Sequence, residues 1–208
     1  MKWFPVVFIA MCAGLCISAQ AGSTLADLAD GVVPGLGNEL DSSANQAVND
    51  VFVQSATPVL QELIMRSRAE AVRAGVQPIP PEVRRQLAGF IPDSILNLAR
   101  YRVESGGSMT LQAGAIQYGD ARAITLVDVV VLKNQFDVLN NPTLWAHELT
   151  HVEQYQQWGV QGFAQRYLQN YEAVEKVAYD SATRYADWLK QKNERNASAW
   201  HLPDAKPQ

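Results

Sequence analysis

The chain has 208 residues, 48% hydrophobic and 18% charged, with a formal net charge of −4 at pH 7. That length and apolar content suit one domain with a real core. With no basic patch and no Lys/Arg cluster, the sequence argues against nucleic acid or anionic lipid as the main partner.

The opening MKWFPVVFIAMCAGLCISAQAGS is the most readable targeting feature. Lys2 supplies a positive start, Trp3 to Ile17 is an uncharged and mostly apolar run, and Ala19-Gln20-Ala21 is a small-x-small cleavage pattern. Residues 1–21 are therefore expected to be a signal peptide cut after Ala21, giving a secreted or periplasmic chain that begins at Gly22. The run is short for a membrane span and no other segment approaches the needed length, so no stable span is expected after cleavage. Met11 and Leu15 precede Cys12 and Cys16, where a lipoprotein signal wants a small residue. Both cysteines leave with that peptide, so disulfides are excluded and any metal must be held by nitrogen and oxygen.

Residues 22–92 read as an N-terminal helical region. From Gly22 to about Ser55 small and polar residues dominate, consistent with one or two weak helices. From Ala56 the pattern tightens, with Val59, Leu60, Leu63 and Ile64 at helical spacing and a charged, Ala-rich continuation to Ala74. Pro78, Pro80 and Pro81 stop that helix, and Pro81 can open another through Val83, Leu87 and Phe90. Residues 93–193 then read as the core. LARYRVESGG and AITLVDVVVLKN are β-rich, the second suggesting a strand around Ile124 to Val131. The sequence between them reads as turns around one short strand. From Asn141 the chain is helical almost to the end, and residues 194–208 are expected to be a loosely ordered tail. The fold class expected is α+β: mainly helical, with a small antiparallel or mixed sheet preceding the helix that carries the motif described next.

LWAHELTHVEQY, from Leu144 to Tyr155, spends two of the three histidines four residues apart. Asn141 is an N-cap candidate, Pro142 suits a first turn and Gly159 a helix end, so Leu144 to Trp158 reads as one helix. His147 and His151 then share a face, with Cβ atoms roughly 5–6 Å apart, close enough for both imidazoles to reach one ion. Glu148 lies about 100° around from His147, where a carboxylate can accept a proton from an attacking water. Trp145, Leu149 and Val152 occupy the opposite side and can bury it, leaving a wet face for chemistry.

A catalytic zinc usually takes three protein ligands and one open position. After the turn signalled by Gly159 and Gly162, Glu172 and Glu175 sit on a further helical stretch, with Tyr179 along the same side and Val174, Val177, Ala178, Tyr185 and Trp188 as a buried stripe. Glu175 lies beside that stripe, which favours it over Glu172 as third ligand. His201, in a proline-flanked tail, is a weaker rival.

The strand GDARAITLVDVVVLKN, then LWAHELTHVEQYQQWG, then YEAVEKVAY together resemble the core domain family of extracellular contractile injection systems, regarded as a zinc-metallopeptidase-like domain. The resemblance spans roughly Ala99 to Tyr179. Ala123, Thr125, His147, Glu148, His151, Gln154, Glu175 and Ala178 fill the family's A-x-T strand, HELxHVxQ helix and Glu-x-x-Ala segment. It implies a minimal zincin-like fold, one zinc ion on His147, His151 and Glu175, and Glu148 as the base. Val127 departs from a common glycine, and Tyr179 stands where related zinc peptidases often place an acidic residue.

The function expected is thus an exported zinc-dependent hydrolase, a metallopeptidase of gluzincin-like type acting on a peptide or protein substrate. Tyr155, Tyr171 and Tyr179 are the candidates to stabilise an oxyanion, and an edge strand could take up an extended peptide. The alternative is a non-catalytic zinc-binding structural or interaction domain, marked by a fourth protein ligand such as Asp128, Asp180 or His201.

Overall fold

The computed structural model describes residues 36–103 and 122–199, with side chains over 49–103 and 122–196. The expected signal peptide, the turns of 104–121 and His201 lie outside the described residues. Helix α1 (Leu36–Arg73) is a single 38-residue helix that carries Pro58 inside it, rather than weak helices followed by a stronger one. Leu60 and Ile64 turn inward as their spacing implies, whereas Val59 faces solvent. Gly75, at a φ of 101° that L-residues avoid, turns the chain into β1 (Gln77–Pro78). Pro81 opens α2 (Pro81–Leu87), and Pro92 precedes α3 (Asp93–Leu98).

Three further strands follow: β2 (Arg100–Val103), β3 (Ala123–Leu126) and β4 (Val129–Leu132). The sheet order is β1-β2-β4-β3, with β2 and β4 parallel and the two outer pairs antiparallel. The single strand expected over Ile124 to Val131 is instead a hairpin, because Val127 adopts a left-handed φ of 63° and reverses the chain with Asp128. A β-branched residue carries no turn signal, which hid the reversal. Left-handed backbone at such a residue is a genuine outlier. Arg68 of α1 grips the Asp128 carboxylate through both its Nε and Nη2, fixing the turn from outside.

Strand β4 alternates between two apolar layers, as period-two geometry requires. Val130 and Leu132 join a core of Leu87, Leu96, Trp145, Leu149, Val152 and Tyr185, all buried. Val129 and Val131, with Leu126, pack on Ala71 of α1. The sheet is therefore sandwiched between α1 and the remaining helices. Each fully buried Val or Leu contributes about 1.5–3 kcal/mol.

Helix α4 (Gln135–Asn140) is capped by Asn134, whose side chain accepts from the Asp137 amide. Asp137 is itself buried against Arg122, Asn134 and Asn141. The last element, α5 (Pro142–Ala199), is broken by non-helical backbone at Gly159 (φ 68°, ψ 170°) and Asn170 (φ −161°, ψ 82°). It runs on to Ala199, into the region from 194 expected to be loose. The result is α+β, mainly helical with a small mixed sheet. Among the described residues no helix is long and apolar enough to cross a membrane.

Candidate metal centre

The first stretch of α5 begins as its sequence implies, with the Asn141 side chain accepting from the Leu144 amide at 3.1 Å. Trp145, Leu149 and Val152 are fully buried beneath it, and the Trp145 indole donates to the Val138 carbonyl at 2.8 Å. Those anchors fix the rotation of the helix and turn His147, Glu148 and His151 the other way. That second face is not wet: Glu148 and His151 are only 4% and 6% exposed. The later stretch of α5 and strand β3 enclose it.

Unbroken, α5 would carry Glu175 about 36 Å beyond His151 at 1.5 Å per residue. The breaks at Gly159 and Asn170 fold the chain back instead. Asn170 accepts from the Ala173 amide at 3.0 Å and so caps the returning stretch. Val174, Ala178 and Tyr185 bury its inner side, whereas Val177 faces solvent. Glu175 thereby comes to 3.4 Å from His147 Nε2 and 3.6 Å from His151 Nε2. The two Nε2 atoms are 3.2 Å apart.

These separations test whether one ion fits. Ligand bonds of roughly 2.0–2.1 Å at a tetrahedral angle place donors roughly 3.3–3.4 Å from one another. The Nε2–Nε2 edge lies near that value, and each imidazole has its own Glu175 oxygen close by, Oε2 for His147 and Oε1 for His151, so His147, His151 and Glu175 form a group able to hold a metal ion. Glu172 stays outside, exposed and beside the Tyr171 hydroxyl at 3.4 Å. Asp128 is taken by Arg68, and Asp180 pairs with Lys176 at 2.6 Å on the surface. Among the described residues the group has three members.

Glu148 lies beside this group, held by β3. The Thr125 hydroxyl sits 2.7 Å from the Glu148 carboxylate and 3.1 Å from the Glu148 carbonyl. Thr125 faces α5 because Ile124 and Leu126, its neighbours on the strand, face α1. Gln154 bonds His151 Nδ1 at 2.8 Å and the Val174 carbonyl at 3.0 Å. Tyr167 donates to Glu175 at 3.3 Å. Tyr179 stands edge-on to His147 with ring centres 4.6 Å apart, while Tyr155 stacks on Phe163. Thr125 and Gln154 belong to the motifs that carry the resemblance. The bond from Tyr167, eight residues before Glu175 and across the Asn170 break, leaves no sequence signal.

The electrostatics follow from burial and from these neighbours. Burial alone would lower the basicity of His151, but the hydrogen bond and charge of Glu175, with smaller contributions from Glu148 and Gln154, raise it from 6.5 to about 9. Burial pushes Glu175 up, yet hydrogen bonds from His147 and His151 and their charge hold it well below the usual carboxylate range. Burial and the charge of Glu175 push the Tyr155, Tyr167 and Tyr179 hydroxyls up, with Glu148 adding to the effect at Tyr155 and Tyr179, so all three remain donors at neutral pH.

A helix bearing His-Glu-x-x-His, laid against a small mixed sheet and closed by a later glutamate, is the arrangement of a candidate metal site of the HExxH type. Residues 78–159 match the family model of the eCIS core domain, the family that the HELTHVEQ motif resembles. The matched segment holds the sheet, Thr125, His147, Glu148, His151 and Gln154 but ends before Glu175, whose place in the group rests on geometry. No curated protein and no solved structure matches the chain.

Proposed function

We propose that the chain is a zinc-dependent hydrolase, a metallopeptidase of gluzincin-like type. The observation that carries this reading is the convergence of two imidazole nitrogens and the Glu175 carboxylate, with nearest contacts of 3.2, 3.4 and 3.6 Å, beside a second, buried carboxylate. His147, His151 and Glu175 would hold the ion; zinc bound to such a set supplies a Lewis acid and an activated water near neutral pH. Glu148 takes the proton of the attacking water and returns it to the departing amine. Thr125 keeps the Glu148 carboxylate oriented toward the site and supports its charge. Tyr179, at 41% exposure the most accessible of the site's tyrosines, is the donor best placed to meet a substrate oxygen. Among the described residues strand β3 ends the sheet, and it runs beside Glu148, so an extended peptide can add along it.

The test is a Glu148→Gln variant assayed against a mixed peptide library by mass spectrometry. It should bind zinc like the parent and lose cleavage about 10²–10⁴-fold; full cleavage by the zinc-loaded variant would contradict the mechanism. One observation favours a second reading, in which zinc only clamps the two arms of α5: His147 and Glu175 have side-chain exposures of just 12% and 15%. Under that reading zinc raises thermal stability while wild type and Glu148→Gln are equally inert toward peptides.

A further inference from the structure

We infer that Gln154 is the positioning residue that presets the metal centre, by selecting the His151 tautomer and tying the HELTH turn to the stretch that bears Glu175. The assignment rests on the proposed metal function of the His147/His151/Glu175 group. It follows from hydrogen-bond bookkeeping that has one solution. The Val174 carbonyl is only an acceptor, so the group of Gln154 that lies 3.0 Å from it must be the amide NH2. That orientation leaves the Gln154 carbonyl oxygen facing His151 Nδ1 at 2.8 Å. A carbonyl oxygen cannot donate, so Nδ1 must carry the hydrogen. The proton His151 can give up is then the one on Nε2, the atom 3.2 Å from His147 Nε2 and 3.6 Å from Glu175. Gln154 is 3% exposed and His151 6%, so little water competes for either bond.

The same side chain makes a second connection. His151 and Gln154 are three apart and share a helix face, whereas Val174 directly precedes Glu175 on the returning stretch of α5. One amide therefore bridges the local pair of imidazoles to the backbone that delivers the third donor. A metal-ligating histidine commonly donates its other ring hydrogen to a carboxylate, a backbone carbonyl or water; in this chain the acceptor at His151 is a neutral side-chain amide from the same helix. Partners of this kind commonly change metal affinity about 10–100-fold when removed.

The experiment compares wild type, Gln154→Leu and Gln154→Glu, each checked for folding by circular dichroism. Zinc affinity is measured by competition with a chromophoric chelator, the cobalt(II) visible spectrum reports ligand geometry, and 15N spectra of histidine-labelled, zinc-loaded protein report which ring nitrogen carries hydrogen. Wild type should bind one zinc with hydrogen on His151 Nδ1. Gln154→Leu, which offers neither bond, should bind about 10–100-fold more weakly with an altered cobalt spectrum. Gln154→Glu keeps an acceptor for Nδ1 but loses the donor to the Val174 carbonyl, so it should keep the wild-type histidine pattern while recovering only part of the affinity. Wild-type affinity and spectra in a folded Gln154→Leu would overturn the assignment while leaving the metal centre standing. Failure of wild type itself to bind zinc or cobalt would remove the metal reading and this role with it.

Discussion

The two sides of the candidate centre are built in different ways. His147 and His151 meet because four residues of helix bring them to one face, and the buried Trp145, Leu149 and Val152 beneath them set the rotation. Glu175 reaches the same point only because α5 breaks twice, at Gly159 and Asn170, and returns. The pair depends on local periodicity, the carboxylate on tertiary packing. Half of a candidate metal site can thus be written into five residues, but closing it takes a chain reversal whose signals are single residues.

The largest expected effect comes from breaking the local side. His147→Ala or His151→Ala should weaken zinc binding roughly a thousandfold, since about 10–16 kcal/mol of binding is shared among a few ligands. Equilibrium dialysis with zinc determination would register it. Loss in only one of the two variants would mean that the imidazoles do not act as a pair.

Protons sharpen the comparison next. His151 is raised to about 9 mainly because Glu175 outweighs the effect of burial, so zinc must displace a proton from it at pH 7. Apparent zinc affinity should climb roughly tenfold per pH unit from 7 to 9 and then level off. Calorimetry in buffers of different ionisation enthalpy should detect proton release. For chelator-treated protein the sign follows from linkage. The raised His151 contributes stability in full below 6.5, its ordinary value, and loses it as pH rises through about 9. The lowered Glu175 contributes above 4.5, its ordinary value, and loses this as pH falls. Thermal melts should therefore peak between about 4.5 and 6.5 and decline toward pH 9. A flat profile from 6.5 to 9 would mean that the two groups are not coupled.

The smallest effects test the reversals. Gly159 has open space where a Cβ would go, so Gly159→Ala isolates the backbone cost of φ 68°, ψ 170°, a region open essentially to glycine alone, and should lower stability by about 1–3 kcal/mol. Val127→Gly relieves strain of about 1–2 kcal/mol at its own left-handed φ but surrenders contact with the cluster of Leu60, Tyr155 and Phe163. Its net change should stay within about 1 kcal/mol. Urea melts check both variants; a loss well above about 1 kcal/mol in Val127→Gly would show that no strain is relieved there.

These positions also explain what the sequence could and could not disclose. The HELTH helix, its Asn141 cap and its buried face were legible because each follows from spacing within one or two turns. The inward turn of Leu60 and Ile64 was legible for the same reason. The hairpin was not, since Val127 and Asp128 offer no glycine or asparagine at the turn; the family's glycine at that position was the one pointer to it. The enclosure of Glu148 escaped because its partner Thr125 lies 23 residues earlier on a different element. Glu175 could be preferred to Glu172 from its buried neighbours, but the bond from Tyr167 and the link from Gln154 to Val174 depend on the angle of the Asn170 break. No pattern within a single helix encodes that angle.

The most direct test of the centre compares the two glutamates. Zinc content and affinity should be measured on wild type, Glu175→Ala and Glu172→Ala under identical conditions. One zinc per chain is expected in wild type and in Glu172→Ala, with binding weakened at least a hundredfold in Glu175→Ala, as suits loss of one of three ligands. Zinc held equally well without the Glu175 carboxylate would contradict the three-donor centre.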